Sequence, residues 1–134
     1  MNRQQKAEYA HLRFQARAVE RGAIVSKPLV ETRYDFILDE DGVMKRIQVK
    51  YCGVKSSGSN GACQVNLRSQ GHTSRKPHYT KDEVDFIMVY VASADVVVCL
   101  PPELFDGKSS IQLRTEPPKN GQAKGLHLVS ELVW

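Results

Sequence analysis

Asp35, Gln48 and Lys50 place a carboxylate, a carboxamide and an ammonium on two alternating runs, RYDFIL and VMKRIQVKY, separated by DEDG. A hard divalent cation such as Mg²⁺ takes oxygen ligands, commonly one or two carboxylates completed by substrate phosphate and water. Asp35 suits that role, and Gln48 adds a neutral carbonyl oxygen. Lys50, a pure donor, suits an offset to phosphate charge or the orientation of an attacking water. On the residues alone the alternative stays open: a solvated polar strand face with Asp35 paired to Lys50 or Arg33 and no metal.

What must position these groups is a hairpin. Asp41-Gly42 between two alternating runs predicts a two-residue type I′ turn, because both central residues need positive φ. That turn sets Glu40 opposite Val43 and, counting outward, Asp35 opposite Gln48, with Cβ atoms about 5 Å apart. Period-two alternation then puts Arg46, Gln48 and Lys50 on Asp35's face. Tyr34, Phe36, Leu38, Ile47, Val49 and Tyr51 fall on the other.

With those residues in place, the hairpin resembles the core of the PD-(D/E)xK nucleases, in which an acid on one strand precedes acid-x-Lys on the next. Here the pattern stands as Tyr34-Asp35 and Gln48-Val49-Lys50. The form is most similar to small group I intron homing endonucleases of this type, and more distantly to Holliday-junction resolvases. The resemblance runs from the first helix to about Leu100. It implies an α/β restriction-endonuclease-like core, a mixed central β-sheet flanked by helices. It also implies Mg²⁺-dependent hydrolysis of double-stranded DNA to a 5′-phosphate and a 3′-hydroxyl, with Mn²⁺ as a possible substitute. Tyr34 replaces a proline of no chemical role. Gln48 replaces the second acid and removes one negative charge from the metal shell.

Glu8 is the expected replacement for that charge. Residues 4–21 hold no Pro or Gly and stop at Gly22, so they read as a helix with a glycine C-cap. Glu8, Leu12, Gln15 and Val19 form a stripe expected to point inward. In the related nucleases a glutamate on the first helix joins the metal site, and Glu8 is the matching position. A surface partner or a helix-dipole contact is its bland alternative.

Charge is local. Between residues 53 and 81 lie Lys55, Arg68, Arg75, Lys76 and Lys81 with no Asp or Glu, while the whole chain is +4. With Gln64, Asn66 and several Gly and Ser residues, this reads as a pair of DNA-contact loops: cations for phosphates, amides for base edges. Residues 62–67 read as a third strand returning to the hairpin, with Gln64 and Asn66 on one face.

Further along, 79–84 reads as a short helix or turn with Thr80 and Glu83 at capping-box spacing. Residues 84–92 and 95–100 read as buried strands. Asp85 is read as structural, capping or pairing with a loop cation, with a catalytic role as the alternative. Pro101-Pro102 starts a short helical turn, 108–114 forms one strand, and 126–134 is a closing strand or an oligomer contact anchored by Trp134. Gly107-Lys108-Ser109 is not a phosphate-binding loop, since Pro102 stands where such a loop needs Gly.

At 134 residues, with 41% hydrophobic and 25% charged content, the chain is expected to form one endonuclease domain over 1–134. No apolar run is long enough for a membrane span and no signal-peptide pattern opens the chain. An intracellular protein, cytoplasmic or nucleoid-associated, is expected. Three widely spaced cysteines, Cys52, Cys63 and Cys99, argue for reduced buried thiols rather than a disulfide framework or zinc site. Of the histidines, His72 and His78 suit loop contacts to phosphate better than metal ligation. Cutting both duplex strands with one site per chain requires a homodimer or homotetramer.

Overall fold

The computed structural model describes residues 1–53, 61–69, 77–117 and 127–134. Helix α1 spans Arg3–Glu20, started by a capping box in which Asn2 and Gln5 satisfy each other's backbone N–H groups. It ends where Gly22 takes φ +78, with Gly22 and Ala23 N–H donating back to the Val19 and Ala18 carbonyls. That pair of bonds is a Schellman motif. The buried stripe is Ala10, Phe14 and Ala18. The stripe expected from sequence points the other way: Leu12 is 55% and Val19 71% exposed, and Glu8 lies on that exposed side. Small side chains flanking one phenylalanine let the helix sit close to the sheet, and this close packing prevails over the longer aliphatics.

The main sheet has the order β1-β2-β3-β5-β6, with β1 Ile24–Ser26, β2 Phe36–Glu40, β3 Val43–Cys52, β5 Phe86–Val91 and β6 Val96–Leu100. Within this sheet β3 and β5 run parallel and the other pairs are antiparallel. A second sheet joins β4 Ala62–Asn66, β7 Ser110–Arg114 and β8 His127–Leu128. The strand predicted at 62–67 therefore pairs with β7 and not with the hairpin. Period two reveals which of its faces is apolar but carries no information about its partner. Short helices α2 Pro102–Phe105 and α3 Val129–Leu132 complete the mixed α/β architecture. Residues 80–84 form a turn rather than a helix, with Glu83 and Val84 N–H bonded to the Thr80 carbonyl. Among the described residues no helix is long and apolar enough to cross a membrane.

Two apolar layers result. Phe36, Leu38, Ile47, Val49, Met88 and Tyr90 pack against the α1 stripe. On the opposite face Ile87, Val89 and Val91 pack against Val65, Leu67, Ile111 and Leu113 of the second sheet. Trp134 anchors within its own chain: its ring stacks on Phe14 at 5.4 Å, and its backbone N–H donates to the Val97 carbonyl.

Asp85 pairs with a cation as expected, but with Arg46 on strand β3 rather than with a loop residue. Arg46 grips it with Nη2 at 3.0 Å and Nε at 3.2 Å, and the Arg46 backbone N–H adds a bond of 2.7 Å. The Arg46 bond holds the Asp85 carboxyl below the usual carboxylate range. A lowered folded value means this stabilisation is present above the unfolded pKa, about 3.9, and fades as pH falls through the folded one. Asp85→Ala should cost about 1 kcal/mol at pH 7, discounted for partial exposure. Urea midpoints measured between pH 7 and pH 2.5 should converge with wild type at the acid end.

The cysteines depart from expectation. Cys52 on β3 and Cys63 on β4 are paired as a disulfide with Cα atoms 6.3 Å apart, and Cys99 is free. The pairing joins the main sheet to the second one, a proximity that linear spacing does not reveal. Thiol titration of the denatured, unreduced protein should therefore find one reactive group, and three after reduction.

Candidate active site

The hairpin turn forms as its sequence requires, with Asp41 at φ 55 and Gly42 at φ 78. Register runs from Glu40↔Val43 down to Phe36↔Ile47. There regular pairing stops. The Asp35 N–H donates to the Ile47 carbonyl at 2.8 Å, so Asp35 and Phe36 both address Ile47, in the manner of a β-bulge. Tyr34 accordingly packs with the second-sheet layer, while Phe36 packs under α1. The expected Asp35 to Gln48 pairing, and the expected placing of Tyr34 with Phe36, are corrected by this one-residue offset.

The bulge aims Asp35 at the edge β2 leaves open. Past Asp35 no β2 residue remains to accept the Val49 N–H, and two side chains take over. Asp35 Oδ2 accepts it at 2.9 Å and Gln48 Oε1 at 3.0 Å. A carboxylate and an amide oxygen thus converge on one donor. By strand alternation the Val49 carbonyl faces the same edge.

Gln48 is only 8% exposed, and its amide has one orientation that satisfies its surroundings. Nε2 donates to the Arg33 carbonyl at 3.0 Å and to the Tyr79 hydroxyl oxygen at 3.1 Å. Oε1 is thereby turned toward Asp35. Lys50, on the Gln48 face, sets Nζ 4.9 Å from the centre of the Tyr79 ring and 3.4 Å from the Arg68 carbonyl. Burial pushes its ammonium below the ordinary lysine range; Asp35 pulls it back up, and Arg33 adds to the lowering. Tyr79, 5% exposed, ties the set together by bonding Gln48 and stacking under both Lys50 and Arg33.

One neighbour escaped the sequence reading. His11 Nε2 lies 3.4 Å from Asp35 Oδ2, and its ring stands edge-on to Phe36 at 5.1 Å. Its signal was available: His11 flanks Ala10 and precedes Phe14 by three residues, beside the stripe that is buried. Glu8, by contrast, makes no hydrogen bond or ion pair with Asp35, Gln48 or Lys50 among the described residues.

The oxygen-rich set formed by Asp35, Gln48 Oε1 and the Val49 carbonyl fits one hard divalent cation, with Lys50 available for phosphate. Among the described residues no three His, Cys, Asp or Glu side chains cluster together.

Of the predicted DNA contacts, Lys55, Arg75 and Lys76 lie outside the described residues, as does His72. Gln64 and Asn66 are exposed on one face of β4, where with Ser109 and Ser110 they line an open depression of about 430 Å³. Arg68 is exposed, its backbone N–H held by Asn66 Oδ1 at 2.9 Å. Lys81 is exposed beside Asp106, whose Oδ1 accepts its backbone N–H.

An acid at the open end of one strand, with x-Lys on the next strand and a helix across the sheet, is the frame of a phosphodiester-cutting nuclease. The profile of the PD-(D/E)XK endonuclease family matches residues 1–132, and the chain belongs to that family. Its class is therefore nuclease, its substrate class DNA, and dependence on a divalent metal is general among such enzymes. The solved structure of a bacterial homing endonuclease, I-Ssp6803I, shares the fold with TM-score 0.71 at 22% identity, over 92% of this chain and 83% of that one. No curated protein matches the chain.

Proposed function

We infer that the chain is a Mg²⁺-dependent, site-specific endonuclease of the homing type, acting on double-stranded DNA as a homodimer or homotetramer. The observation that carries the reading is the meeting of Asp35 Oδ2 and Gln48 Oε1 at one backbone N–H, at the edge where β2 ends. When bound there, the cation supplies Lewis-acid polarisation of the scissile phosphate and a more acidic water. Asp35 and Gln48 hold the site open by bonding the Val49 N–H, which keeps both oxygens preorganised before metal arrives. Lys50, cleared of bulk water by Tyr79, stabilises charge on the phosphate and orients the nucleophile. Arg68, Lys81, Gln64 and Asn66, together with Lys55, Arg75 and Lys76, are assigned to DNA contact, supported by the exposed polar face of β4.

The site-specific reading is favoured by amide side chains set beside Arg68, a combination suited to base edges. A junction resolvase would use the same chemistry, and a catalytically weak DNA-binding module would keep the contacts alone. Incubating the protein and Mg²⁺ with a randomised-target duplex library, then sequencing the ends, should return one shared sequence flanking cuts that carry 5′-phosphates. Cuts confined to four-way junctions would support the resolvase. Binding with no cut under any divalent metal would leave only the module.

A further inference from the structure

We propose that His11, not Glu8, supplies the third side-chain ligand of this metal site, and that its imidazole strengthens Mn²⁺ binding more than it strengthens Mg²⁺ binding. The proposal rests on the reading of Asp35 and Gln48 as holders of a divalent cation. Its starting point is charge and donor count: with Gln48 neutral, Asp35 alone brings a formal charge, and one more strong donor is needed. Glu8 sits on the exposed side of α1, away from the Ala10, Phe14 and Ala18 stripe that meets the sheet. His11 is one residue past Ala10, half-buried, and already at Asp35.

The distance is informative. A closed N–H···O bond to a carboxylate is usually about 2.7–2.9 Å. Nε2 and Oδ2 stand at 3.4 Å. Two neighbouring ligands on an octahedral ion with bonds of about 2.1 Å are roughly 3 Å apart, so an ion fits beside this pair with little movement. Edge-on packing against Phe36 holds the imidazole plane, and the helix backbone fixes its Cβ, so the donor is preorganised. Replacing an oxygen donor by imidazole nitrogen shifts preference away from Mg²⁺, which favours all-oxygen shells, toward first-row transition ions.

The test uses the whole chain with MnCl₂ and MgCl₂, without DNA. Pulsed electron paramagnetic resonance of bound Mn²⁺ should show a histidine nitrogen coupling that disappears in His11→Asn, a variant that still offers a polar partner to Asp35. By calorimetry, His11→Asn should weaken Mn²⁺ binding about tenfold more than it weakens Mg²⁺ binding. Glu8→Gln should leave both affinities within about twofold. Bound Mn²⁺ with no nitrogen coupling, coupling that survives His11→Asn, or loss of affinity in Glu8→Gln would each overturn the proposal while leaving the site at Asp35 intact. Mn²⁺ affinity unchanged in Asp35→Asn would overturn the site itself.

Discussion

Asp35→Asn is expected to cleave DNA at least about a thousandfold more slowly than wild type while binding DNA at least as tightly. Asn can still offer one oxygen to the Val49 N–H, the bond that Asp35 makes at 2.9 Å, so the bulge and the strand edge should survive. What disappears is the formal negative charge of the pair, since Gln48 has none. Losing about 4 kcal/mol of transition-state stabilisation corresponds to about a thousandfold in rate. Removing a carboxylate next to the phosphate path also removes a repulsion, hence the retained or improved binding. Single-turnover cleavage and a gel-shift titration in Ca²⁺ separate the two effects. A variant that cuts at wild-type rate would exclude Asp35 from the chemistry.

Lys50→Ala carries the second large effect, a loss of roughly 10²–10³ in kcat with KM little changed, as for removal of one preorganised donor. Nζ lies against the Tyr79 ring and the Arg68 carbonyl, in a place half withdrawn from water. There its charge acts at short range on the phosphate more than on binding at a distance. Lys50→Arg should not restore the rate, because the planar fork is larger and does not place a compact ammonium over the ring. Equal losses in kcat and in DNA affinity would instead mark Lys50 as a mere phosphate contact.

The sequence was most legible where one local rule decided the geometry. Asp41-Gly42 could form the turn because both residues take positive φ, and the register from Glu40↔Val43 to Phe36↔Ile47 followed from it. Helix α1 was legible from composition and from Gly22. The departures share a physical cause: they depend on neighbours remote in sequence. Alternation has no mark for the offset at Asp35, which arises because β2 ends there and the Val49 N–H needs an acceptor. Which face of α1 is buried was set by the close fit of Ala10, Phe14 and Ala18 over the sheet. That choice turned Glu8 outward and brought in His11. Likewise β4 found β7, and Cys52 found Cys63, through the stacking of two sheets. Membership in the nuclease family adds the class of reaction.

Anomalous diffraction from crystals soaked in MnCl₂ tests the central claim most directly. One strong peak should lie within about 2.3 Å of both an Asp35 carboxylate oxygen and Gln48 Oε1, with the Gln48 amide still donating to the Arg33 carbonyl and Tyr79. No peak at that edge, or a Gln48 amide turned so that Nε2 faces Asp35, would contradict it.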